Sequence, residues 1–137
     1  MHENRKCIVV DTNVFISFLI GKELLPLKEK IFTGELILLM SLELLEELIQ
    51  VVKREKFKKY FSVAQIEELI LLLNELGHFI EVKSELNICR DKKDNFLLEL
   101  AQDGNADYIV TGDADLLSLH SVGKTKIISF REFADFQ

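Results

Sequence analysis

Apolar positions in this chain fall into short unbroken runs separated by longer stretches of helical spacing. Cys7-Ile8-Val9-Val10 and Leu36-Ile37-Leu38-Leu39-Met40 show no alternation, and both stop at a polar residue. Such runs suit strands covered on both faces. Weaker runs, His78 to Val82, Asp107 to Val110 and Lys126 to Ser129, predict three more. Between them the spacing turns helical. Val14 to Ile20 reads as a short helix, and Leu24 to Phe32 as a second with Pro26 in its tolerant first turn. Ser41 is placed to cap a helix to about Lys53, with Leu44, Leu45, Leu48, Ile49 and Val52 as its apolar set. Ser62 and Gln65 form a capping box before a stripe of Val63, Ile66, Leu69, Ile70, Leu73 and Leu76, ended by Gly77. Asp91 or Asp94 starts a helix through Ala101 with Phe96, Leu97, Leu100 and Ala101 apolar. Ala114 to Leu119 and Phe130 to Phe136 complete the set. Strands alternating with helices predict an α/β fold: a three-layer α/β/α sandwich around a parallel sheet of about five strands.

Composition fits one domain over residues 1–137. The chain has 137 residues, 48% hydrophobic and 29% charged, with one Pro and six Gly. That leaves little room for linkers. A formal net charge of −6 argues against a broad basic surface that wraps nucleic acid, while leaving room for a local basic strip. Cys7 and Cys89 are too few for a disulfide framework and read as buried thiols in a reducing cytosol. His2, His78 and His120 have no zinc spacing. The start of the chain lacks a signal-type apolar region, and no run reaches membrane-spanning length.

The acids carry the chemistry. Asp11 follows Ile8-Val9-Val10, and Asp113 follows Tyr108-Ile109-Val110 by Thr111-Gly112. Ligands in open α/β sheets bind beyond the carboxyl ends of the strands. If the two strands are neighbours, both carboxylates meet in one cleft. Asp115 lies two residues on. Asp94 starts a helix that feeds the later strand, so it begins at the same edge. On the 41–53 helix, at about 100° per residue, Glu43 and Glu46 fall away from the apolar arc and Glu47 lies at its shoulder. Each has a plainer reading: Asp11 as a helix cap, Glu47 as a solvated carboxylate, Asn13 and Thr111 as turn or cap residues rather than groups that orient the acids. Crowded carboxylates raise one another's pKa unless a cation sits among them. Oxygen donors without His or Cys suit Mg²⁺ or Mn²⁺, ions that work on phosphates.

Four stretches then match a family. They are Val10-Asp11-Thr12-Asn13-Val14-Phe15, Ser41 to Leu48, Cys89 to Asn95, and Ala106 to Leu117. In this order they resemble the PIN-domain nucleases, and more closely the VapC-like toxins of toxin–antitoxin pairs. The resemblance covers almost the whole chain. It implies a PIN-like fold and a Mg²⁺- or Mn²⁺-dependent ribonuclease with Asp11, Glu47, Asp94 and Asp113 as the acidic set. By the same resemblance Asp115 is expected as an accessory metal ligand, with Asn13 as the small polar residue beside the first acid. It also implies a cytoplasmic homodimer silenced by an antitoxin. Asp91 is either the helix cap beside Asp94 or a further acid near the metal.

Two basic clusters could meet RNA. Arg90, Lys92 and Lys93 flank the acids. Lys53, Arg54, Lys56, Lys58 and Lys59, with Phe57 and Tyr60, form a strip between two helices that would otherwise be plain solvated surface. Rival readings are a phosphatase of the haloacid dehalogenase type, disfavoured because Asn13 stands where it needs a second acid, and a non-catalytic module binding a partner through the Ser41–Gly77 hairpin.

Overall fold

A computed structural model of the chain describes residues 5–21 and 24–135, and of residues 24–27 the backbone alone. The expectations for residues 1–4, His2 among them, and for Phe136 lie outside these. The chain runs β1 (Lys6–Val10), α1 (Thr12–Gly21), α2 (Leu24–Phe32), β2 (Leu36–Met40), α3 (Leu42–Val52), a 3-10 turn (Glu55–Phe57), α4 (Val63–Leu76), β3 (His78–Phe79), α5 (Lys92–Asp103), β4 (Tyr108–Val110), α6 (Ala114–Leu117), β5 (Ser121–Val122), β6 (Thr125–Ile128) and α7 (Phe130–Asp135). The sheet order is β3-β2-β1-β4-β6-β5. The pairs β3–β2, β2–β1, β1–β4 and β4–β6 are parallel, and β5–β6 is antiparallel. The fold is therefore α/β with a central, mostly parallel sheet of six strands flanked by helices.

The central strands are apolar throughout because both their faces are covered. Ile8, Val9, Ile109 and Val110 are fully buried, under Leu98, Leu100 and Ala101 of α5 among others. The strand order reverses between β1 and β4. From β1 the chain moves outward to β2 and β3, then returns to place β4 on the other side of β1. Val10 pairs with Val110 across this switch point, so residues 11 and 111 leave the sheet together.

Four expectations need correction. The sixth strand, β5, was not anticipated. It joins β6 through Gly123-Lys124 in a two-residue hairpin, with Gly123 at φ +55°, where a hairpin turn wants a positive φ. β3 stops at Phe79 rather than Val82. Ile80 still donates its N–H to Met40, but at Lys83 and Ser84 the backbone is drawn to the Asp103 carboxylate on α5 instead. The apolar stripes of three helices are also shifted. On α3, Val51 rather than Ile49 completes the buried set; on α4 only Ile66, Leu69 and Leu73 are buried, with Val63 75% exposed; on α5 Phe96 is 47% exposed. Finally, Cys7 and Cys89 are free thiols, only partly buried.

Gly77 ends α4 where a side chain would not fit. A Cβ there would stand 2.6 Å from the Leu73 carbonyl and 2.8 Å from Met40 Cγ.

Candidate active site at the switch point

Asp11 is the first residue past β1. Its N–H donates to the Val110 carbonyl, and its own carbonyl accepts from Phe15 in the first turn of α1. The carboxylate accepts a hydrogen bond from the Thr111 hydroxyl (2.7 Å) and another from the Asn13 backbone N–H. Asp11 thus caps α1 and faces its neighbours at the same time; the two readings of this residue do not exclude each other. Thr111 is fully buried and its Oγ1 also accepts the Asp113 N–H, so one hydroxyl ties the two strand-end acids together. The side chain of Asn13 is exposed; what it gives Asp11 comes from its backbone.

Asp113 caps α6, its Oδ1 accepting from Asp115 and Leu116. Asp91 caps α5 by accepting from the Lys93 N–H, which leaves Asp94 in the first turn without the capping role. Each of these caps satisfies backbone donors that a helix start otherwise leaves bare, and the positive end of the helix dipole favours the carboxylate. Three helix starts therefore bring acids to the same sheet edge.

Glu47 reaches this edge from α3. It is half-buried, with Oε2 accepting from the Thr12 hydroxyl at 2.8 Å and Oε1 lying 3.9 Å from Lys93 Nζ. Thr12 is 3% exposed. Its role was not visible in the sequence, because a threonine after a strand-end aspartate reads first as a cap. A groove of about 210 Å³ between α3 and α5 runs beside Glu47 and Lys93, past Gln50 and Phe96.

The carboxylates sense one another. Burial pushes the Asp11 carboxyl up; the Thr111 hydrogen bond opposes this, and the charges of Glu47 and Asp113 add to it. Asp94 is pushed up to about 6, first by burial and then by Asp113, Asp91, Asp11 and Asp115. The Cys89 thiol is raised by burial and then by Asp94, Asp113, Asp115 and Asp91, which puts it on the rim of the same field. Asp11, Glu47, Asp94, Asp113 and Asp115 thus lie within electrostatic reach of one another past the carboxyl edge of the sheet, Glu47 through Asp11. Among the described residues, no three Asp, Glu, His or Cys side chains already close into a cage that could hold a metal ion. Of the predicted basic flank, Lys93 lies beside Glu47, Arg90 reaches within 3.5 Å of Asp115 Oδ2, and Lys92 is exposed at the start of α5.

Asn95 was also missed. It is 5% exposed, its Oδ1 accepts from Ile88 and Cys89, and its Nδ2 donates to the Cys89 carbonyl. One turn on, Glu99 accepts from Leu86, and a further turn on Asp103 accepts from Lys83 and Ser84. This polar ladder zips the 83–89 segment along α5 and delivers Arg90 and Asp91 to the cleft. The sequence signal was present: polar residues at positions 95, 99 and 103 share one helix face.

Among known proteins, an uncharacterized protein of Methanocaldococcus jannaschii, MJ1680, is 32% identical over 120 residues, covering 85% of this chain and 77% of that protein. Residues 7–115, which include every acid of the cleft, match the PIN domain family. The chain belongs to the PIN domain family.

Proposed function

We propose that this protein is a ribonuclease that hydrolyses phosphodiester bonds of RNA at the acid cleft, with Mg²⁺ or Mn²⁺ as cofactor. Membership of the PIN domain family makes it a candidate nuclease. The observation that carries the reading further is geometric: Asp11 and Asp113 follow neighbouring strands at the β1–β4 switch point and are tied together by the buried Thr111 hydroxyl. The charges of Glu47 and Asp113 act on Asp11, and those of Asp113, Asp91, Asp11 and Asp115 on Asp94.

The donor set fits the cofactor. It is all oxygen, the choice of hard divalent cations, and Mg²⁺ keeps several of its waters and takes only one or two carboxylates. An open arrangement of acids is therefore compatible with it. Asp11, Asp94 and Asp113 would hold the cation, one or two of them directly and the others, with Asp115 as an accessory acid, through its retained waters. A bound cation of this kind supplies neutralisation of the phosphate and a water of lowered pKa. The chain's own groups do the rest. Thr111 orients the Asp11 carboxylate and opposes the upward push that burial gives its pKa. Thr12 and Lys93 fix Glu47 at the side of the cleft. Arg90, Lys92 and Lys93 offset the repulsion that an acidic cleft exerts on a phosphate backbone.

The test is hydrolysis of a labelled single-stranded RNA with added Mn²⁺. Wild type should cleave it, Asp11→Asn should not, and EDTA should stop the reaction. Cleavage unaffected by Asp11→Asn would refute the assignment. Release of nitrophenol from para-nitrophenyl phosphate, with no RNA cleavage, would favour a phosphatase.

We further propose, on the strength of the resemblance to VapC-like proteins, that the chain is the toxin of a toxin–antitoxin pair, acting in the cytoplasm as a homodimer silenced by its antitoxin. A non-catalytic module that engages a partner is the second reading. The observation that favours it is the apolar surface left on the α3–α4 hairpin, where Leu42 is 67%, Leu71 69% and Val63 75% exposed. An adjacent gene for a small DNA-binding antitoxin, and copurification of its product, would support the toxin reading. An isolated gene whose product leaves growth unaffected would count against it.

A further inference from the structure

Beyond the cleft lies the densest cationic segment of the chain, just past α3. Lys53, Arg54, Lys56, Lys58 and Lys59 crowd into a molecule of net charge −6, and all five are exposed. The same segment carries three aromatic rings. Lys56 Nζ lies 5.1 Å from the Phe57 centroid and Lys59 Nζ 5.1 Å from that of Tyr60, while the Phe61 ring stands between the other two, 6.2 Å from Phe57 and 6.4 Å from Tyr60. Tyr60 is still 42% exposed. Beside it, a groove of about 340 Å³ is lined by Leu19, Ile20, Lys59, Tyr60 and Phe61.

α1 connects this groove to the cleft. Thr12, bonded to Glu47, and Leu19, in the groove wall, are seven residues apart on it. Seven residues are two turns, so the pair shares a helix face with an axial separation of about 10 Å. About 10 Å is roughly three stacked nucleotides at ~3.4 Å each.

We propose that Lys53–Phe61, with the end of α1, is a binding subsite for single-stranded RNA, holding the part of the strand that continues past the cleft. Arg54, Lys56 and Lys59 neutralise its phosphates and Tyr60 offers a ring for base stacking. This combination of cations and aromatic platforms binds single strands with little sequence preference. The inference rests on the cleft's being the ribonuclease centre. Its test is made in Asp11→Asn protein, so that binding is read without cleavage.

The measurement is the affinity of Asp11→Asn protein for a fluorescent twelve-nucleotide single-stranded RNA across a range of NaCl concentrations. Adding Arg54→Ala, Lys56→Ala and Lys59→Ala together should flatten the slope of log affinity against log salt by about 2, at ~0.7 per phosphate contact. Tyr60→Ala should weaken binding by about five- to hundred-fold, as expected for loss of one base stack, whereas Tyr60→Phe should keep it. All these residues are exposed, so the fold is not at stake; circular dichroism checks this. Equal affinity and slope in all variants would overturn the proposal and leave the strip to a protein partner, as would failure of the Asp11→Asn parent to bind RNA. If wild type never cleaves RNA but the strip variants lose binding, the cleft reading fails and the subsite stands. If wild type cleaves and the strip variants bind like the parent, the subsite fails and the cleft reading stands.

Discussion

Replacing Asp94 with asparagine should make the metal-free protein more stable at neutral pH. An unfolded aspartate loses its proton near 3.8, whereas the native Asp94 holds it to about 6. Between these values the native state binds more protons than the unfolded state, so stability falls as pH rises through the window and levels off above about 6. At about 1.4 kcal/mol per pH unit, the interval sets a ceiling of about 3 kcal/mol. Asp94 is only partly buried, and solvent screening reduces the expected effect to about 1–2 kcal/mol. Asparagine has nearly the same shape and never ionises. Urea denaturation in EDTA should therefore find the two proteins within about 0.5 kcal/mol of each other at pH 4. At pH 7.5 the variant should lead by about 1–2 kcal/mol. Mn²⁺ should narrow the gap by stabilising the wild type, because a ligand that binds only the native state adds to its stability. A variant less stable than wild type at pH 7.5, or a gap that does not change with pH, would refute the electrostatic argument.

Three other substitutions probe the frame around the acids. Thr111→Val removes the hydroxyl that bonds Asp11 and accepts from Asp113; the Asp11 pKa should rise further, moving the acid limb of the pH–activity profile to higher pH, and an unmoved limb would count against the bond's role. Asn95→Ala removes the partner of three part-buried backbone groups of the 88–89 segment and should cost about 1–2 kcal/mol, with faster amide exchange at Ile88 and Cys89. Gly77→Ala should destabilise by about 1–3 kcal/mol although its φ of −73° suits any residue, because the added Cβ meets the Leu73 carbonyl and Met40; a neutral result in chemical denaturation would show that α4 can shift aside.

Much of this arrangement was legible from local chemistry. The unbroken apolar runs named β1, β2 and β4, and the fall of Asp11 and Asp113 just past two of them followed from the order of residues. Ser41, and Ser62 with Gln65, made the caps expected of them. The shoulder position of Glu47 followed from helical spacing, and the shift of the buried stripe toward Val51 is what draws that shoulder inward. What was illegible depended on partners distant in sequence. Nothing local says that Asp103 will pull residues 83–84 out of the sheet and end β3 early, or that Thr12 will bond a glutamate 35 residues away. Both are tertiary hydrogen bonds, and they override strand propensity and capping preference where they form. The hairpin at Gly123 could have been read from its glycine, but a two-residue strand gives no periodicity to find.

If the switch-point carboxylates act together as one cation-binding centre, calorimetric titration with Mn²⁺ should show it. Wild type should bind Mn²⁺, and binding should weaken at least tenfold, ~1.4 kcal/mol, in both Asp11→Asn and Asp113→Asn, although the two residues follow different strands. Unchanged Mn²⁺ affinity in either variant would contradict it.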